Sequence, residues 1–110
     1  MTTDQRERWA LILGASSGFG AATARSLAKA GYAIIGVHLD LRATRAAAEQ
    51  VRDEIAALGV PVVFHNVNAA DEEKRREVIE DIARRFEQRR ADGADPYVAV
   101  MLHSLAFGTT

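Results

Sequence analysis

Seven residues, Gly14-Ala15-Ser16-Ser17-Gly18-Phe19-Gly20, constrain this chain more than any other segment. An apolar run, Trp9-Ala10-Leu11-Ile12-Leu13, comes just before them, and an alanine-rich stretch with helical spacing follows. A short continuous apolar run bounded by glycine reads as a strand buried on both faces. The glycines then turn the chain out of that strand and into a helix, Gly18 to Ala30, which Gly31 ends. The first N–H groups of such a helix have no partner within it, and the helix dipole is positive there. A turn of this kind suits a bound phosphate.

The same alternation continues along the chain. Ala33-Ile34-Ile35-Gly36-Val37 reads as a second strand. Leu41 to Leu58 reads as a second helix, with Ala47, Val51, Ile55 and Leu58 at helical spacing. Gly59 and Pro61 separate it from a third strand, Val62 to His65. Asp71 to Arg90 is a long helix with Val78, Ile79, Ile82, Ala83 and Phe86 toward one side. Glu80/Arg84 and Asp81/Arg85 stand in the favourable i,i+4 order on it. Ala91 to Pro96 is rich in turn formers, and Tyr97 to Leu102 is a fourth strand. Strands alternating with amphipathic helices imply a parallel sheet covered on both faces, here a Rossmann-type doubly wound α/β fold in three layers. Right-handed crossovers limit the topology, and the expected strand order is 3-2-1-4, with the topological switch between strands 1 and 4. Ligands bind at such a switch, beyond the carboxyl ends of the strands, where Gly14 and His103 lie.

Composition narrows the function classes. The chain has 110 residues, enough to bury a core, and a net charge of −1, which argues against a broad nucleic-acid or anionic-membrane surface. It has no cysteine, so disulfides, thiol catalysis and cysteine-ligated zinc are excluded. His38, His65 and His103 are scattered without metal-ligand spacing, and no metal is expected. The polar start, Met1 to Arg8, reads as neither a secretory signal nor a membrane span, so a cytoplasmic location is expected.

Leu13-Gly14-Ala15-Ser16-Ser17-Gly18-Phe19-Gly20 resembles the cofactor loop of the short-chain dehydrogenases/reductases. Leu13 replaces the threonine usual there, which removes a hydroxyl but no backbone group. The resemblance covers the whole chain, because the order of strands and helices also fits. It implies a nicotinamide dinucleotide as cofactor. Gly14 then permits the turn, Gly18 admits the pyrophosphate to the backbone, and Gly20 lets helix and strand pack closely. Ser16 and Ser17 offer hydroxyl hydrogen bonds, and Phe19 offers its backbone N–H. In this family the residue ending strand 2 reads the adenosine ribose. That place falls near His38, with Asp40, Arg42 and Arg45 beyond it. Asp40 would repel a 2′-phosphate and the arginines would attract one. NADP(H) is expected, with NAD as the alternative. Asn66-Val67 fills the place of the Asp-Val pair that holds adenine.

At the end of strand 4 most members carry Asn-Asn-Ala-Gly. His103-Ser104-Leu105-Ala106-Phe107 instead resembles the enoyl-acyl-carrier-protein reductase branch, which implies that Ser104, Leu105 and Ala106 line the path between the two riboses. The glycine loop, by contrast, is of the common dehydrogenase type.

The family also needs a tyrosine acid with a lysine nearby, which holds the tyrosine pKa down by its charge. The tyrosines here are Tyr32 and Tyr97, and the lysines are Lys29 and Lys74, with no such pairing. No catalytic residue is therefore assigned. The chain reads as the N-terminal dinucleotide-binding half, residues 1–110, of an oxidoreductase that transfers hydride to a carbonyl or an enoyl thioester. A small molecule or acyl thioester would be its substrate, and a homo-oligomer or a complementary C-terminal segment its protein partner. A non-catalytic nucleotide-binding or sensor module complete at 110 residues is the alternative, and a reductase assembled from two chains is a third reading.

Overall fold

The computed structural model describes residues 6–15, 18–38, 45–67 and 71–103. Seven elements follow one another: β1 (Arg6–Leu13), α1 (Gly18–Lys29), β2 (Ala33–His38), α2 (Arg45–Ala56), β3 (Val62–Asn66), α3 (Glu72–Ala91) and β4 (Asp95–His103). The strands form one parallel sheet in the order β3-β2-β1-β4, so the expected topology is the observed one.

Alternate residues of each strand serve opposite faces of the sheet. Ala10 and Ile12 of β1 and Ile34 of β2 pack beneath α1 and α2, against Ala21, Ala24, Ala28, Val51 and Ile55. Trp9, Ala33 and Ile35 face the other way, toward Phe86 of α3. The result is three layers, α/β/α. Ile12, Ile34, Ile35 and Ile55 are among the largest fully buried side chains, each contributing about 1.5–3 kcal/mol by leaving water. The alanine face of α1 lets that helix sit low on β1 and β2.

The helices refine the expected faces. On α2 the buried seam is Ala48, Val51 and Ile55, while Ala47 is exposed and Leu58 lies beyond the helix end. On α3 the seam is Val78, Ile82 and Phe86, while Ala83 is exposed and Ile79 is 64% exposed. Spacings of three and four residues return a side chain to the same stripe, and a neighbour one position away is turned off it by about 100°. Asp71 caps α3 at its start, its carboxylate accepting from the N–H groups of Glu73 (2.9 Å) and Lys74 (3.2 Å).

Two strands start earlier than their sequence suggests. β1 extends back through Arg8, Glu7 and Arg6, and β4 begins at Asp95, so Asp95 and Pro96 belong to a strand rather than to the connector. Each extension is the partner of the other, with Arg6 beside Asp95 and Glu7 beside Pro96. Proline is tolerated at the start of an edge strand, and Pro96 is fully buried there. The β1–β4 register shifts once. Trp9 pairs with Val98 but Ala10 pairs with Val100, which leaves Ala99 as the extra residue of a bulge. Val100 and Leu102 consequently pack on the α1 side, while Val98 and Met101 stay exposed.

Candidate functional site

All four strands are parallel, so the residues ending them gather at one edge of the sheet: Gly14 after β1, His38 at the end of β2, Asn66 of β3 and His103 of β4. The turn after β1 is tied to β2. The N–H groups of Gly14 and Ala15 both donate to the carbonyl of Val37, at 2.8 and 3.3 Å. Gly14 has φ +90°, a conformation that only glycine adopts without strain. Ala15 is buried beneath the turn.

Gly20 is the closest point between helix and turn. A methyl carbon placed on it would lie 1.9 Å from the Gly14 carbonyl oxygen and 2.8 Å from its carbon. Gly18 differs. Its φ is +59°, and a carbon placed on it meets nothing within 4 Å. The protein therefore fills the space around Gly20 and leaves the space around Gly18 open. Phe19, between them, is 69% exposed, so its ring takes no part in the core. The arrangement can hold an anion at the start of α1, a helix of 12 residues whose first N–H groups are free of intrahelical partners.

Beside the turn, a cavity of about 300 Å³ opens between α2 and the ends of β2 and β3, lined by His38, Ala48, Glu49, Arg52, Phe64 and Asn66. His38 stands where the ribose-reading residue was expected, but its side chain is only 6% exposed and lies 5.5 Å, ring to ring, from Phe64. Asn66 is exposed at the end of β3. The following Val67 N–H donates to the His38 carbonyl at 2.8 Å, which fixes Asn66-Val67 next to β2. Arg52 rests on the Asp53 carboxylate at 3.2 Å. Ser16, Ser17, Asp40, Arg42, Ser104, Leu105 and Ala106 lie outside the described residues, and Arg45 is placed only as the first residue of α2.

The structure thus brings together Gly14, Gly18, Phe19 and Gly20 at one turn, and His38, Asn66 and Val67 beside it. Glu49, Arg52, Phe64 and Gly36 were not singled out from sequence. For Gly36 there was a signal: a glycine inside an apolar strand marks a bulge or a close approach.

His65 points to the opposite layer. Its Nε2 lies 3.2 Å from Oδ2 of Asp81 on α3, but at an angle that makes no hydrogen bond. Burial pushes the His65 pKa down, and the nearby Asp81 charge only partly offsets this. Asp81 accepts from Arg85 Nε (2.7 Å) and Arg84 Nη2 (2.9 Å), so it takes both arginines, including the one expected to pair with Glu80. Burial raises the Asp81 pKa, but the hydrogen bonds from Arg85 and Arg84 outweigh it and hold the carboxyl below its ordinary value.

The tyrosines lie at the other end of the sheet. Tyr32 precedes β2 and stacks under the Arg8 guanidinium, 4.3 Å from the ring centroid, and Tyr97 lies near the start of β4. A cavity of about 740 Å³ is also at that end, lined by Arg6, Arg8, Gly31, Gly59 and Tyr97 among others. It lies away from the glycine turn, at the amino ends of the strands. Among the described residues no helix is long and apolar enough to cross a membrane, and no group of three or more metal-ligating side chains occurs.

The sequence profile of the family described as short chain dehydrogenase matches residues 8–92. Among curated proteins none matches the chain. Three solved structures show the likeness in fold. A doubly substituted short-chain dehydrogenase/reductase from Serratia marcescens has a TM-score of 0.74 at 19% identity, over 97% of this chain and 39% of its own. A xylitol dehydrogenase with NAD+ bound has a TM-score of 0.66 at 25% identity, over 77% of this chain and 31% of its own. A blue fluorescent protein from a metagenomic library, in complex with NADPH, has a TM-score of 0.63 at 25% identity, over 72% of this chain and 32% of its own. The chain spans less than half the length of each of these solved structures.

Proposed function

Because the chain belongs to the short-chain dehydrogenase family, we propose that it is the dinucleotide-binding part of an NADP(H)-dependent reductase acting on a carbonyl or an enoyl thioester. The observation that carries this reading is the glycine turn. Gly20 is bare against the Gly14 carbonyl, while Gly18 leaves backbone open to a ligand at the carboxyl end of β1. That is the geometry a pyrophosphate needs: N–H donors at a helix start and no side chain in the way. The dinucleotides named for two of the structural neighbours, NAD+ and NADPH, support the same class of ligand.

When bound, the dinucleotide supplies the hydride, and this chain supplies orientation. Gly14 aims the turn, and Gly18, Phe19 and Gly20 present α1 to the pyrophosphate, with Ser16 and Ser17 as hydroxyl donors. Asn66 accepts from the adenine amino group, held in place by Val67 on the His38 carbonyl. Arg42 and Arg45 favour a 2′-phosphate over a bare ribose against the opposing charge of Asp40. Ser104, Leu105 and Ala106 border the path to the nicotinamide ribose, and His103-Ser104-Leu105-Ala106-Phe107 supports an enoyl thioester as the acceptor. In this reading the tyrosine that donates the proton, and the lysine that lowers its pKa, are supplied by residues other than these 110.

Titration calorimetry of the chain with NADPH and NADH tests it. Binding of both, tighter for NADPH, is expected, and binding of neither would refute the reading. NADPH oxidation with a short enoyl thioester is expected only when a family segment carrying the tyrosine and lysine is supplied. Turnover by the chain alone would overturn the assignment of the proton donor.

A further inference from the structure

Gly36 sits within β2, a strand whose six residues are all buried and whose other apolar core positions are Ala33, Ile34, Ile35 and Val37. A glycine there weakens a strand that any β-branched residue would strengthen. Its surroundings give a reason. A methyl carbon placed on Gly36 would lie 2.7 and 2.8 Å from Cε1 and Cδ1 of Phe64, and 2.9 Å from Cβ of Ala15. Phe64 is the residue of β3 directly beside Gly36 in the sheet, and Ala15 is the second residue of the glycine turn. Two groups from separate elements thus converge on the bare face of one residue.

The convergence bears on the turn. Ala15 reaches down to Gly36, while the N–H groups of Ala15 and Gly14 bond the carbonyl of Val37, the next residue of β2. The turn is therefore seated on the Gly36-Val37 step by one side chain and two backbone bonds. Phe64 has a second neighbour, for it also lines the 300 Å³ cavity with His38 and Asn66. A side chain at position 36 would leave two ways out: Ala15 lifts and carries the turn with it, or the Phe64 ring swings toward the cavity. One route misplaces the pyrophosphate donors, and the other narrows the space beside Asn66.

We propose that Gly36 and Phe64 are a positioning pair that sets the height of the glycine turn above the sheet and keeps the neighbouring cavity open. Gly36 lies outside the cavity, and Phe64 is part of its wall. The pair acts through Ala15 on one side and through the cavity wall on the other. The proposal rests on the reading of the turn as a dinucleotide site.

Three variants of the chain test it: Gly36→Ala, Gly36→Ala with Phe64→Val, and Ala15→Gly, which removes only the methyl group and needs no repacking to fold. The measurements are NADPH affinity by titration calorimetry, melting temperature, and the amide resonances of Gly14 and Ala15. Gly36→Ala is expected to weaken NADPH binding by about tenfold at a temperature where it remains folded, as crowding of a filled site does. Those amide resonances should shift with it. Phe64→Val in the same chain should restore both in part, since it removes the ring atoms nearest position 36 and leaves the Ala15 contact at 2.9 Å. Ala15→Gly should weaken binding, with a melting temperature lower by only a few degrees from the lost buried methyl group. A Gly36→Ala chain that melts lower but binds unchanged would overturn the proposal, and so would a double variant that binds no better than Gly36→Ala. If Gly36→Ala does not fold, unchanged affinity in Ala15→Gly overturns it. If the unsubstituted chain binds neither dinucleotide, the functional reading fails, and the amide resonances alone decide the positioning role.

Discussion

Replacing Gly20 by alanine tests the helix-to-turn approach directly. The added carbon would sit 1.9 Å from the Gly14 oxygen and 3.4 Å from the Ala15 Cα, and all the atoms it meets are backbone. A flexible side chain could yield, but this carbonyl cannot easily do so, because the N–H of Gly14 is fixed to Val37 at 2.8 Å. The start of α1 must therefore move away. Forcing a group into a filled site costs about 1–3 kcal/mol. Alanine recovers at most ~1 kcal/mol over glycine in a helix, and less at its first turn. The clash wins, and a net loss near 1–2 kcal/mol corresponds to a melting temperature lower by about 4–10 °C for a chain of this size. Gly18→Ala is the control. It meets nothing within 4 Å, so its cost is the strain of φ +59°, about 1–2 kcal/mol, with no displacement of α1. Both changes should weaken NADPH binding, the first by moving the donors and the second by filling the space left for the ligand. Thermal unfolding by circular dichroism and calorimetric titration of both variants provide the assay. A Gly20→Ala chain with unchanged melting temperature and unchanged affinity would refute the reasoning.

Arg42→Ala combined with Arg45→Ala should narrow the gap between NADPH and NADH, each lost phosphate contact costing about 1.5–3 kcal/mol; an unchanged ratio in titration would assign the preference elsewhere. Acidification should destabilise the chain in two stages. His65 is held below its ordinary 6.5, so its contribution is complete above 6.5 and is lost as pH falls from there through its lowered value. Glu7 is held below its ordinary 4.5 chiefly by the hydrogen bond from Arg89, so its contribution is present above 4.5 and is lost as pH falls through its own lowered value. Urea unfolding across pH checks the sign, His65→Gln should flatten the first stage, and a stability that rose below 6.5 would contradict the placement of His65. Asp71→Ala should cost about 1 kcal/mol by uncapping α3, read as a lower melting temperature.

The order of the strands was legible because glycine and proline punctuate short apolar runs, and because the crossover rule leaves few ways to join them. The glycine turn was legible for the same reason, and Gly20 has the packing partner its spacing implied. What the sequence concealed depends on register. Arg6-Glu7-Arg8 reads as a charged tail and Asp95-Pro96 as a turn, and each becomes strand only because the other is beside it. Ala48 replaces Ala47 in the core because a helix turns about 100° per residue, and four apolar positions did not fix its phase. Phe64 and Gly36 are 28 positions apart, and only the β2–β3 pairing shows that they meet.

The attachment of α3 bears on the order in which the chain assembles and loosens. Val78 and Phe86 are its buried residues among those described, and Phe86 meets Trp9 at 5.4 Å between ring centroids. Near its end, Arg89 Nε donates to Glu7 at 3.1 Å, and the same carboxylate accepts from the Trp9 indole at 2.8 Å. Glu7 and Arg89 stand 82 positions apart, so this clasp closes nearly the whole described chain into one loop. Contacts that enclose so much chain form only after its entropy has been surrendered, whereas α1 and α2 dock on strands adjacent to them in sequence. The half-sandwich of β1, α1, β2, α2 and β3 is therefore expected to condense before the Glu7–Arg89 clasp closes over its second face, an order that pulse-labelled hydrogen exchange during refolding would check. By the same reckoning α3 is expected to open before α1 in the native state, and faster exchange of α3 amides than of α1 amides in native-state hydrogen exchange would bear this out.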